Sequence, residues 1–262
     1  MFKILTLGDI FGHSGRKLME TQVSSIKEQL GADMVIANIE NASGGNGVTD
    51  ANARELLSLG CIDVFTSGNH IFNQKDVNNI LQQSDRLLRP ANYPEPCPGR
   101  GWECYRIKGR RIAVANISGC AFMDNLDNPF LTFDKIWQEA QELCDIMCVD
   151  FHGEATSEKI AFGYYADGRA NAVWGTHTHV QTADERILPA GSGYITDIGM
   201  CGPYDGVIGV QKEIIIKNFL TQRKTRHEPA KGASQINGAL FTFDEEGKCL
   251  EITRLRRIYD TP

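Results

Sequence analysis

No apolar stretch of this 262-residue sequence approaches the roughly 18–20 residues needed to cross a bilayer. Its start, Met1-Phe2-Lys3-Ile4-Leu5, runs directly into a strand-like segment with no signal-peptide cleavage pattern, so a cytoplasmic location is expected. The eight cysteines include no Cys-x-x-Cys pair. In a chain of this size they are expected to be buried reduced thiols. A basic excess is missing as well: 27 Lys and Arg face 33 Asp and Glu, a formal net charge of −6. That excludes broad, sequence-independent binding to nucleic acid, which needs a basic face. Lys217 through Lys231, with Arg223, Lys224, Arg226 and His227, is a local exception. It reads as a solvated helix end or loop, with attraction of an anionic substrate as the alternative. Fixed-period repeats and linker-like segments are also missing, so residues 1–262 are expected to form a single domain.

What is present is an alternation of strand-like and helix-like segments, the pattern of an α/β fold. Strands are expected at residues 2–7, 34–39, 62–66, 111–117, 145–150 and 172–174. A helix carries Leu18, Val23, Ile26 and Leu30 on one face and stops at Gly31. Thr49 or Asp50 is expected to cap a second helix, and a third is expected around Phe133 to Leu143. Beyond Ile187 the chain reads as β-rich, with Ile214-Ile215-Ile216, Gly238 to Phe243 and Glu251 to Leu255 as strands.

The polar residues fall in a pattern. Asp9, Glu40-Asn41, Asn69-His70, His152 and His177/His179 each follow a different strand-like run. In open α/β sheets, sites form beyond the carboxyl ends of the strands, so distant segments can converge there. Histidine is scarce, with six in the chain, and four of them (His70, His152, His177, His179) stand at these ends. Carboxylate, imidazole and amide ligands suit Mn, Fe, Co, Ni or Zn better than Ca or Mg. One ion would leave several of these groups without a role, whereas two ions sharing a carboxylate would use them all.

Gly8-Asp9, Glu40-Asn41, Gly68-Asn69-His70, His152-Gly153 and Gly175-Thr176-His177-Thr178-His179 resemble the ordered blocks of the calcineurin-like metallophosphoesterases. The sequence is most similar to their YmdB-type bacterial phosphodiesterase branch. Leu126-Asp127-Asn128-Pro129-Phe130 and Asp197 through Asp205 add to that likeness. Phe11 stands where the wider superfamily has a histidine, and Asn38-Ile39-Glu40-Asn41 replaces its Gly-Asp-x-x-Asp block. Both departures are features of the YmdB-like branch.

The resemblance implies a four-layer α/β sandwich with a dinuclear site at the strand C-terminal ends. Asp9, Glu40, Asn41 and His179 would hold one ion, and Glu40, Asn69, His152 and His177 the other, with Glu40 bridging. Iron or manganese is the first expectation for the two divalent ions, with zinc, cobalt and nickel also compatible. His70 would be the general acid or transition-state stabiliser. The implied reaction is hydrolysis of a phosphodiester, such as the cyclic nucleotide 2′,3′-cyclic AMP, by a hydroxide bridging the ions. A homo-oligomer is expected on the same ground. Two alternatives stay open: a phosphomonoesterase or nuclease on the same site, and a regulatory module that binds nucleotide or metal with little turnover.

Taken singly, these residues have plainer roles. Asp9 could cap a helix, Asn41 and Asn69 could be turn residues, and His152 could be a core histidine. Gly44-Gly45-Asn46-Gly47 lacks the Gly-Lys-Ser/Thr ending of a P-loop and reads as a turn near the metals. Gly199 through Gly209 reads equally as a structural turn or as a backbone-lined wall of the substrate cleft. His13 and Arg16 could touch a substrate phosphate or simply start a solvated helix.

Overall fold

The computed structural model describes residues 1–260. In chain order its elements are β1 (Phe2–Leu7), β2 (Asp9–Ile10), α1 (Gly12–Leu30), β3 (Met34–Asn38), α2 (Asp50–Leu57), β4 (Val64–Thr66) and α3 (Val77–Gln83). There follow β5 (Trp102–Ile107), β6 (Arg110–Ser118), α4 (Pro129–Ala140), β7 (Ile146–His152), α5 (Thr156–Ala166) and β8 (Ala172–Thr176). The last part comprises β9 (Arg186–Ile187), β10 (Gly193–Ile195), β11 (Met200–Pro203), α6 (Lys212–Thr221), β12 (Ser234–Phe243) and β13 (Cys249–Tyr259).

The strands form two sheets. The first runs β2-β11-β12-β1-β3-β4, with β13 paired to β12. Its β1, β3 and β4 are parallel, and β12 returns antiparallel to β1. The second runs β5-β6-β7-β8-β10-β9, with β6, β7, β8 and β10 parallel.

Alternation along each strand builds the layers. Phe2 and Ile4 of β1, Met34 and Ile36 of β3, Ile112 and Val114 of β6, and Ile146 and Cys148 of β7 share one core between the sheets. The intervening residues face outward. Leu5, Leu7, Val35 and Ala37 pack under α1, α2 and α3, while Ala113, Ala115, Met147 and Val149 pack under α4 and α5. The result is the expected helix–sheet–sheet–helix sandwich. At the strand ends the same parity turns Asp150 and His152 of β7 toward the seam between the sheets.

Local signals explain most boundaries. Gly31 ends α1 in left-handed backbone, and Thr49 caps α2 by accepting from the Asn52 amide. Asn128 caps α4 by accepting from the Phe130 and Leu131 amides, with Pro129 in the first turn. The expected strand at Ile214–Ile216 is instead part of helix α6. A three-residue apolar run carries no period that separates strand from helix. Here the charged Lys212, Glu213 and Lys217 flank it, no strand pairs with it, and none of its residues is buried. Helices α3 and α5 and strand β5 were not anticipated. Among the described residues no helix is long and apolar enough to cross a membrane.

Candidate dinuclear metal centre

Glu40, just past β3, is fully buried at the seam and its two carboxylate oxygens face different neighbours. Oε2 lies 2.8 Å from His152 Nε2, and Oε1 lies 3.1 Å from His70 Nδ1 and 3.5 Å from Asn41 Nδ2. Around the Oε2 side, His152 Nε2 is 3.1 Å from Asn69 Oδ1 and 3.0 Å from His177 Nδ1. Around the Oε1 side, Asn41 Nδ2 is 3.1 Å from His179 Nε2, and His179 Nε2 is 3.4 Å from Asp9 Oδ2. The structure therefore brings all seven expected ligand residues together as two groups, with Glu40 between them. His70 stands at the edge of the centre, its Nδ1 also 3.1 Å from Asn41 Oδ1 and about a third of its side chain exposed.

The outer nitrogens of the three ligand-set imidazoles, His152, His177 and His179, are each tied to an acceptor. The Thr176 hydroxyl donates to Asp150 Oδ1 at 2.6 Å, so it accepts from His152 Nδ1 at 2.9 Å. His177 Nε2 lies 3.1 Å from Glu154 Oε2, and His179 Nδ1 donates to the Ile208 carbonyl at 3.0 Å. Each ring thus turns its other nitrogen inward, the tautomer arrangement of metal-ligating histidines. Asp150 is itself buried and accepts from Thr66, from Thr176 and from Asn38 Nδ2 at 3.1 Å.

Two observations show that the donor set fits cations. Buried Asp9 Oδ1 has no hydrogen-bond donor, and buried Glu40 Oε2 meets only the His152 ring nitrogen at 2.8 Å. The inward nitrogens of His152 and His177 face each other, which without a proton or a cation sets two lone pairs in opposition. The electrostatics agree. Burial disfavours the His152 imidazolium, but Glu40, Asp9 and Asp150 outweigh it and raise the pKa to about 9. Burial pushes Glu40 upward, yet His152 and His70 hold it well below the usual carboxylate range. His177 is pushed down to about 3 by burial and by its neighbour His152, and burial also lowers His179. Burial raises Asp9 well above an ordinary carboxyl. Positive charge placed among these groups would answer all of these imbalances together.

The backbone is shaped to this end. A Cβ on Gly68 would lie 1.7 Å from Glu40 Oε2 and 2.2 Å from His152 Nε2, so only glycine lets Asn69 and His70 approach. His177 and His179 have φ of 96° and 65° and lie beyond the end of β8. A left-handed turn, and not strand alternation, therefore aims both rings inward. Asp197 holds the turn by accepting from the Thr178 hydroxyl at 2.7 Å and its amide at 3.2 Å. Lys159 of α5, buried with Asp197, pairs with that carboxylate at 2.7 Å.

A cavity of about 290 Å³ opens over the centre, lined by Phe11, Gly45, His70, Glu154, Ile208 and His227 among others. Gly45 bears out the turn placed near the centre. His227 lies in an exposed loop, as read, and also lines this cavity. Phe11, at the superfamily's histidine position, packs edge-on against His179 at 5.7 Å between ring centroids. Arg16 turns instead to the Ala42 carbonyl and Glu55, and neither it nor His13 lines the cavity. The sequence reading missed Thr176, Asp150, Glu154, Asp197, Lys159 and the Ile208 carbonyl. Of these, Thr176, Asp197 and Ile208 fell in stretches that had been singled out, and Asp150 closed an expected strand, but none had been given a role.

Relatives match nearly the whole chain. A 2′,3′-cyclic-nucleotide 2′-phosphodiesterase of Bacillus subtilis is 43% identical over 246 residues, covering 94% of this chain and 93% of the relative. A solved structure described as a novel phosphatase of Mycoplasma pneumoniae superposes with a TM-score of 0.92 at 34% identity, over 100% of this chain and 95% of that one. A hypothetical protein of Thermus thermophilus superposes with a TM-score of 0.91 at 36% identity, over the whole of both chains. The model of the YmdB-like protein family matches residues 5–255, and the chain belongs to that family.

Proposed function

We propose that this protein is a dinuclear-metal-dependent phosphodiesterase acting on small phosphodiesters, cyclic nucleotides such as 2′,3′-cyclic AMP among them. The observation that carries the proposal is Glu40, whose two oxygens face two separate groups of ligands. The relatives named as a phosphodiesterase and a phosphatase support phosphoric ester hydrolysis, and the Bacillus subtilis relative supports the cyclic-nucleotide substrate. Asp9, Glu40, Asn41 and His179 would hold one divalent ion, and Glu40, Asn69, His152 and His177 the other, iron or manganese being preferred. Such a pair would lower the pKa of a water and neutralise the phosphoryl oxygens.

The chain's own residues supply the rest. Thr176, Glu154 and the Ile208 carbonyl fix the histidine rings. His70 hydrogen-bonds inward through Nδ1, which leaves Nε2 to deliver a proton to the departing ester oxygen. Phe11 and Ile208 line the cavity over the centre, Phe11 edge-on against the His179 ring. Residues 1–262 act as one catalytic domain.

The test is incubation of manganese-reconstituted protein with bis-p-nitrophenyl phosphate, p-nitrophenyl phosphate and 2′,3′-cyclic AMP, with Glu40→Ala alongside. Metal-dependent cleavage of both diesters, absent in the variant, is expected. Cleavage of the monoester alone would make the protein a phosphatase. Absence of turnover despite bound metal would favour a binding module.

A further inference from the structure

Beside the metal centre lies a second and larger cavity of about 540 Å³. Both cavities are lined by His179 and Ile208, so this one shares a wall with the reaction site. Its volume falls in the range of ligand pockets.

Its lining has the chemistry of a nucleotide site. Arg254 and Arg256 are two apart on β13 and therefore share one face of the strand. Arg254 is paired with Glu185 at 2.7 Å. Among the described residues no carboxylate lies within 4.0 Å of Arg256, and its guanidinium sits 5.9 Å from the centroid of the Tyr204 ring. Directly opposite Arg256 in the β12–β13 ladder is Asn237. Asn237 is 3% exposed and donates through Nδ2 to the Met200 carbonyl at 2.9 Å, while its Oδ1 has no partner. An exposed free guanidinium, a half-open tyrosine face and an unanswered amide oxygen match a phosphate, a base and a base or sugar donor.

We propose that this cavity binds the nucleotide on the 5′ side of the terminal nucleoside that carries the scissile phosphate, so that the preferred substrate is an oligonucleotide end carrying a 2′,3′-cyclic phosphate. The inference rests on the phosphodiesterase reading above. In the reaction, water adds to phosphorus and the bond from phosphorus to O2′ breaks. O2′ takes a proton, and a 3′-phosphate remains. Ends of this kind arise wherever RNA is cut by attack of its own 2′-hydroxyl, so that class of cleavage would supply the substrate. The net charge of −6 keeps recognition to a short end and away from a long backbone.

The test is calorimetric titration of manganese-loaded protein with adenylyl-adenosine 3′-phosphate and with 3′-AMP at fixed ionic strength. The dinucleotide is expected to bind about tenfold more tightly, about 1.4 kcal/mol. In Arg256→Gln, a change at an exposed position, the two dissociation constants should come within about twofold of each other. Equal constants in the unaltered protein, or a preference that survives the substitution, would overturn the assignment, as would failure of both to bind. Cleavage of the corresponding cyclic phosphates is read in parallel. A tenfold binding preference that Arg256→Gln removes, with neither cyclic phosphate cleaved, would sink the phosphodiesterase reading while upholding the arginine subsite.

Discussion

His152 Nε2 stands 2.8 Å from Glu40 Oε2, and the hydroxyl of Thr176 holds the opposite edge of the ring at 2.9 Å. The imidazole is thus fixed between the carboxylate shared by both ligand groups and a buried hydroxyl network.

Glu40→Ala removes the side chain whose two oxygens face the two groups. Manganese content, measured by mass spectrometry after reconstitution and desalting, is expected to drop at both positions together. A variant retaining one full equivalent would show that the groups bind independently and that Glu40 does not bridge them.

Gly68→Ala tests the close approach of the loop after β4. The new Cβ would meet Glu40 Oε2 at 1.7 Å and His152 Nε2 at 2.2 Å, inside any tolerable contact. Metal affinity should fall by about 100-fold or more, on the scale of disrupted ligand support. Unchanged affinity would mean that the loop can withdraw freely.

Thr176→Val keeps the shape of the side chain but removes both the acceptor for His152 Nδ1 and the donor to Asp150. Affinity should weaken about 10–100-fold, with Thr176→Ser restoring it. Equal losses in both variants would point to packing and not to the hydroxyl.

His70→Ala should leave metal content and melting temperature unchanged while turnover drops about 10²–10⁴-fold. Full turnover would remove His70 from the chemistry.

Lys159→Met strands the Asp197 carboxylate, which is buried and otherwise supported by the Thr178 and Gly199 donors. Removing one partner of a buried pair costs about 3–5 kcal/mol. Chemical denaturation reads the cost directly, and a loss below about 1 kcal/mol, the scale of exposed pairs, would show the pair to be effectively solvated.

The sequence displayed the ligand residues because they recur at strand ends, where few other roles require His, Asp and Asn together. It displayed an α/β fold because strand-like and helix-like runs alternate, and the four-layer sandwich only through the family resemblance, since the double core that the strands' alternation serves appears once the two sheets face each other. The hydroxyl, carboxylate and carbonyl that orient the rings stayed hidden. Thr176 and Glu154 are ordinary residues until the fold sets them against a histidine, and the Ile208 carbonyl has no sequence signature at all. Cross-strand register is equally silent in one dimension, so the apposition of Arg256 and Asn237 could not be read. The left-handed turn at His177 and His179 was missed because alternate histidines mimic a strand pattern. Helix α6 was missed because its apolar run is too short to show a period.

The division of the ligands between the sheets has a mechanical meaning. Asp9, Glu40, Asn41 and Asn69 follow strands of the first sheet, whereas His152, His177 and His179 end or follow strands of the second. Ions gripped from both sides would act as a rivet through the sandwich, loaded in shear whenever one sheet slides on the other. Stripping the metal should therefore loosen the whole sheet-to-sheet joint at this end of the molecule, with faster amide exchange in β3, β4, β7 and β8, and not merely in the loops that touch the ions.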